Sequence, residues 1–165
     1  MIDRRQLLQR LAIAAPSVLG VGAVLPALAD EARAARLIAA NVCQLTPETT
    51  EGPFYFDPRL MRADIREGRP GYPLALRLQV VDAACRPIEG ARVDVWQCDA
   101  QGNYSGYAGQ EQGDQRGETF LRGTQMTNQA GRAAFRTIWP GWYRGRTAHV
   151  HFKVLLGERD LLTGQ

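Results

Sequence analysis

The chain has 165 residues, 45% of them hydrophobic and 22% charged, with a formal net charge of +3. That length allows one domain with a modest core. Residues 1–29 hold three arginines and one aspartate, so without them the charge falls to +1, too little for the electrostatic footprint of a nucleic-acid-binding protein.

The chain begins MIDRRQLLQRLAIAAPSVLGVGAVLPALAD. Arg4-Arg5 precede an apolar run, and Ala27-Leu28-Ala29 ends it with a small-x-small pattern. A charged start, an apolar middle and a small-residue end make an export signal, and the arginine pair before Gln6-Leu7-Leu8 matches the twin-arginine type. Residues 1–29 are expected to direct export, periplasmic or secreted, with cleavage after Ala29. The alternative is an uncleaved anchor, the one route by which this chain would touch a membrane. The stretch from Leu11 to Leu28 is barely long enough to span, and it holds two prolines and two glycines.

Residues 30–73 form an N-terminal segment and arm. The part up to residue 45 is rich in alanine and arginine, consistent with a short helix or a loose arm. From Leu45, LTPETTEGPFYFDPRLMRADIREGRPGYP is dense in Pro, Gly and Thr and has no clear period, so it reads as a long ordered loop. Such an arm is also a place where a second subunit of a homo-oligomer would pack.

Residues 74–165 are expected to form an all-β, single-domain β-sandwich. Leu74, Leu76, Leu78 and Val80 alternate with Ala75, Arg77, Gln79 and Val81 in a first strand. After the turn at Arg86–Gly90, Ala91–Gln97 is a second. A polar, glycine-rich loop spans Asp99–Glu118. Thr119–Met126 and Arg132–Ile138 are two more strands around the turn Asn128–Gly131. Short alternating strands divided by turn clusters, with no strong helical period, are the mark of a sandwich. Cys43, Cys85 and Cys98 are an odd set in an export compartment, consistent with one bridge and one buried thiol.

The last expected strand carries both histidines of the chain, in His149-Val150-His151-Phe152-Lys153-Val154. Alternation puts Val150, Phe152 and Val154 on one face and both imidazoles on the other, within reach of one ion. Alone, the pair fits a solvated strand face as well as a metal site. Tyr143 follows a Pro-Gly turn six residues before His149, and Tyr104 sits in the polar loop. Either tyrosine alone fits a core or rim role. Two imidazoles with two phenolates make a different set. A phenol titrates near pH ~10, so a phenolate at neutral pH needs a strongly Lewis-acidic ion. Ferric iron suits these donors better than zinc.

Taken together, LTPETTEGPFYFD, VDVWQCDAQGNYSGY and FRTIWPGWYRGRTAHVHFKV resemble the intradiol ring-cleavage dioxygenases, over about Leu45 to Gln165. The resemblance implies a non-haem Fe(III) enzyme held by Tyr104, Tyr143, His149 and His151, with Tyr143 and His151 axial. It implies cleavage of catechol-type rings by O₂ between the two hydroxylated carbons, giving muconate-type diacids. Tyr143 would leave the metal as the catechol binds and take up its proton, and Arg146 would stabilise charge on the substrate ring. Gln165 matches a glutamine that lines the pocket. Thr50, Pro53, Tyr55 and Trp142 are further candidates for its wall, each with ordinary packing as the alternative.

The sequence departs from the familiar members in two places. Only Arg144 and Gly145 separate Tyr143 from Arg146, a short turn similar to that of the family's exported branch and one that opens the pocket. Family members also continue past the Gln165 position with a further strand, so the expectation is either a fragment or a shortened protein. Two other classes compete with the enzyme. A non-enzymatic β-sandwich binding module predicts no iron, and a copper or zinc protein using His149 and His151 predicts metal binding that survives loss of both tyrosines.

Overall fold

The computed structural model describes residues 46–57 and 59–165. The export signal expected over residues 1–29 and the segment 30–45 lie outside the described residues. The fold of the described part is all-β, as expected. Its strands are β1 (Pro73–Gln79), β2 (Arg92–Trp96), β3 (Arg122–Met126), β4 (Arg132–Ile138), β5 (His151–Leu156) and β6 (Arg159–Gly164). They form two antiparallel sheets, β1-β4 and β3-β2-β5-β6.

Alternation explains the core. Val93 and Val95 of β2, Val154 of β5, and Ala133 and Phe135 of β4 are buried together, with Leu76 and Leu78 of β1 packed against them. Val150 and Phe152 join the same cluster, so the apolar face of the histidine strand turns inward, as its spacing predicts. Gln97 crosses between the sheets, with its Nε2 donating to the Ile138 carbonyl at 2.8 Å and its Oε1 accepting from Thr137 at 3.0 Å.

The other face of the four-stranded sheet is also covered. Asp94, Trp96, Arg122, Thr124, His151 and Lys153 point there and are all buried. The arm lies over them. Tyr55 donates to Asp94 at 2.9 Å, and Glu51 pairs with Lys153 at 2.7 Å, while Asp160 of β6 holds the same ammonium at 3.0 Å. The Thr49 amide donates to Thr163 of β6 at 2.9 Å. Further along, residues 60–65 stitch the edges of β3 and β4 through bridges at Met61–Thr124 and Asp64–Arg136.

Three differences from the sequence reading have local causes. β3 begins at Arg122 rather than Thr119, because Leu121 adopts a left-handed backbone with φ of 57°. β5 begins at His151, because its partner β2 ends at Trp96, which pairs with His151, and His149 lies beyond the ladder. β6 was not anticipated: RDLLTG lacks alternation, and the strand sits on the sheet edge behind a turn at Gly157 with φ of 61°. Cys85 is disulfide-bonded, and Cys98 is a buried free thiol whose pKa burial and Asp99 push up to about 11.

Candidate metal centre

Tyr104 is delivered by the polar loop after β2, and Asp99 shapes that loop. Its Oδ1 accepts from the amides of Gln101 at 3.0 Å and Asn103 at 2.9 Å, an Asx-type turn. The Asp99 carbonyl accepts from Gly102 at 3.1 Å and from Gly141 at 2.8 Å. One residue thus ties the Tyr104 loop to the Pro140-Gly141 turn that carries Tyr143. The two segments touch backbone to backbone. A Cβ on Gly102 would lie 2.7 Å from the Trp142 carbonyl oxygen, and one on Gly141 would lie 2.5 Å from that of Ala100.

From these supports, four donors converge on one point. The hydroxyl oxygens of Tyr104 and Tyr143 lie 3.4 and 3.3 Å from His149 Nε2, and His151 Nε2 lies 3.1 Å from the same atom. His149 Nδ1 sits 2.6 Å from the Thr147 carbonyl, which can only accept, so Nδ1 carries the proton and Nε2 offers its lone pair to the cluster. His151 stacks on Trp96, its partner across β2 and β5. Burial, followed by the charges of His149, Arg146 and Arg122, lowers the His151 pKa to about 4, which keeps it neutral.

Burial, then the contact with Tyr143, drives the Tyr104 phenol far above its ordinary range. An anionic Tyr104 therefore requires a cation beside it. The donor separations also suit one ion: ligand atoms at right angles on ~2.1 Å bonds lie about 3 Å apart. Two phenols and two imidazoles with these spacings fit a hard trivalent metal. Carboxylates and thiols are not part of the cluster; among the described residues no group of three His, Cys, Asp or Glu side chains forms a metal site.

A family model described as Dioxygenase matches residues 50–165. An intradiol ring-cleavage dioxygenase of Tetranychus urticae has the same fold, with a TM-score of 0.68 and 39% identity over 74% of this chain and 64% of its own. The chain belongs to the intradiol ring-cleavage dioxygenase family. The dioxygenase domain of a carbohydrate-binding fusion protein from Streptomyces sp. SirexAA-E is 36% identical, with a TM-score of 0.62 over 74% of this chain and 73% of that one. Catechol 1,2-dioxygenase 1 of Acinetobacter lwoffii is 28% identical over 143 residues, which are 73% of this chain and 45% of the relative. The chain therefore spans about half the length of the curated family members it matches.

The remaining sequence candidates divide. Arg146 donates to Gln165 Oε1, and Gln165 Nε2 donates to the Thr50 carbonyl at 3.2 Å, so these three stand together beside the cluster. Trp142 is 74% exposed next to Tyr143, and Pro53 is exposed on the arm. Tyr55 is turned away from the four donors, its hydroxyl on Asp94 and its ring 4.8 Å from Trp96. Phe54, which sequence reasoning missed, has the place beside the phenols: it stacks on Tyr104 at 4.3 Å and meets Tyr143 edge-on at 6.1 Å. Asp99 was missed as well, although an Asp followed by Gly102 and Asn103 is a turn signal.

Proposed function

We propose that this chain is a non-haem Fe(III) dioxygenase that cleaves catechol-type rings between the hydroxylated carbons with O₂, giving muconate-type diacids. The observation that carries the reading is the convergence of Tyr104, Tyr143, His149 and His151 on one point. Family membership and relatives named as catechol 1,2-dioxygenases support it. Tyr104, Tyr143, His149 and His151 would hold the iron. When bound, the ferric ion would supply the Lewis acidity that makes the catechol hydroxyls easier to deprotonate and the ring reactive toward O₂.

The chain's own residues divide the remaining work. Tyr104 is fully buried under Phe54 and is the fixed phenolate. Tyr143 is only partly buried; it is the donor free to swing out, and its Oη takes a proton from the entering catechol. Arg146, oriented by Gln165, places a positive charge where the ring becomes electron-rich. Thr50, Pro53, Phe54 and Trp142 wall the approach. We assign residues 1–29 to twin-arginine export, residues 30–73 to the arm and residues 74–165 to the catalytic core, with a periplasmic or secreted location.

A visible spectrum before and after anaerobic addition of catechol tests the proposal. Two tyrosinates on ferric iron give a strong charge-transfer band that shifts as catechol binds, and O₂ admission then yields ring-opened diacid. A protein that stays colourless after loading with iron defeats the reading and favours a binding module or a copper or zinc protein.

A further inference from the structure

Arg122 is 1% exposed and is among the largest fully buried side chains. It opens β3 directly opposite Trp96, which in turn faces His151, so the three stand in one row on the covered face of the sheet. Burial lowers the Arg122 pKa to about 10, still high enough to keep it charged at neutral pH. Burying such a charge is costly unless a carboxylate accompanies it, and among the described residues none pairs with it. Asp94, on the same face, is already engaged by Tyr55, Arg92 and Thr124.

Among the described residues, the hydrogen bonds of this guanidinium go to one partner, Ser105. Nε donates to Ser105 Oγ and Nη2 to the Ser105 carbonyl, both at 2.9 Å. Ser105 Oγ donates onward to the Phe120 carbonyl at 2.7 Å. The Phe56 ring lies 4.1 Å beneath the guanidinium, and Nη1 has no partner among the described residues. Ser105 directly follows Tyr104. A tyrosine has two side-chain torsions, so once its ring is stacked, its backbone decides where the hydroxyl falls. On the other side Tyr104 is held through its amide, which donates to Gln110 at 2.8 Å.

We propose that Arg122 is the positioning residue for Tyr104: its planar fork clamps Ser105 to the start of β3 and so fixes the phenol oxygen at the metal point. The inference rests on the metal reading proposed above. A charged fork is suited to the task because it meets two oxygens of one residue at once. A donor displaced by more than about 0.5 Å no longer fits a shared ion.

The test compares wild type with Arg122→Met and Arg122→Lys as full-length, iron-loaded protein, reading tyrosinate absorption per bound iron. In folded Arg122→Met the band should fall to about half, as one of two phenolate donors is lost, and should match the Tyr104→Phe spectrum. Arg122→Lys, whose ammonium cannot bridge both Ser105 oxygens, should also fall short of wild type. A folded Arg122→Met with a full band overturns the proposal; if that variant does not fold, a full band in Arg122→Lys does so. Metal-free samples separate the two claims. Amide hydrogen exchange over residues 103–107 should rise by about ten-fold or more in the variant, while that of β1 stays unchanged. A wild type without the band defeats the dioxygenase reading alone. Unchanged exchange over residues 103–107 defeats the Arg122 assignment.

Discussion

The imidazole of His151 lies parallel to the indole of Trp96, with the ring planes 1° apart and the centroids 4.9 Å apart. The two residues face each other across β2 and β5, so strand register brings the imidazole over the indole and the stack sets its orientation. His151 Nδ1 and Trp96 Nε1 are both buried, and neither has a hydrogen-bond partner among the described residues. His149 is oriented differently, by the Thr147 carbonyl at 2.6 Å. One histidine is placed by packing and the other by a hydrogen bond.

Replacing the platform should therefore act on stability and metal together. Trp96→Ala removes a fully buried aromatic and should cost roughly 3–5 kcal/mol in urea unfolding of the metal-free protein. Trp96→Phe keeps a ring beneath His151 and should retain most of the iron affinity that Trp96→Ala loses. Equal iron binding in the two variants would show that the stack is incidental.

Gly141→Ala probes the contact between the two tyrosine-bearing segments. Its new Cβ would sit 2.5 Å from the Ala100 carbonyl oxygen and 2.8 Å from the Ala100 carbonyl carbon. Backbone cannot yield as a side-chain tip can, so the segments must part, at a cost of about 1–3 kcal/mol. Gly109→Ala is the control, because Gly109 has φ of 70° but nothing within 4 Å of a Cβ. Thermal melting should show both variants weakened, while only Gly141→Ala loses iron stoichiometry. Full iron loading in Gly141→Ala would contradict the coupling.

His151 sets a pH signature for the metal-free protein. Its folded pKa, about 4, lies below the ordinary value of 6.5, chiefly through burial. A depressed value means that the folded state resists protonation. The stability it contributes is complete above pH 6.5, declines as pH falls toward 4, and changes no further below that. The loss should be on the order of 2–3 kcal/mol. Asp57, Asp64, Asp82 and Asp114 are held below the usual carboxylate range, so their losses fall mainly at lower pH. Urea midpoints from pH 7 to 4.5 should drop in wild type and flatten in His151→Gln; parallel slopes would refute the assignment.

Most of the sheet was legible because its strands obey a local rule. Leu74–Val81 alternates, as does Arg132–Thr137 with Ala133, Phe135 and Thr137 inward, and β1 and β4 fall within about two residues of the expected bounds. β6 escaped because an edge strand need bury only part of one side, so RDLLTG carries no period. Within the site, alternation put both imidazoles on one face, but nothing periodic links Tyr104 to residues 45 positions further along the chain. That link was visible only through motif resemblance. Arg122 was unreadable for a related reason: an arginine in a chain with nineteen of them looks like surface, and its burial follows from contacts with Phe56 and Ser105 that alternation does not encode.

Arg144 and Gly145, the two residues between Tyr143 and Arg146, stand apart from this support. Residues 144–148 are exposed, and the turn is closed by the Arg146 amide donating to the Tyr143 carbonyl at 2.9 Å. Tyr104 and His151 are fixed from elsewhere, by Asp99, Phe54 and Trp96, and of the turn only Thr147 holds a donor, through its carbonyl on His149. Lengthening an exposed loop costs little, about 0.6 kcal/mol for each doubling. Evolution can thus remodel the rim of this cleft at Arg144 and Gly145 without disturbing its chemistry, so long as Arg146 and Thr147 keep their places. New specificities can be tried at the turn while the four donors are inherited unchanged.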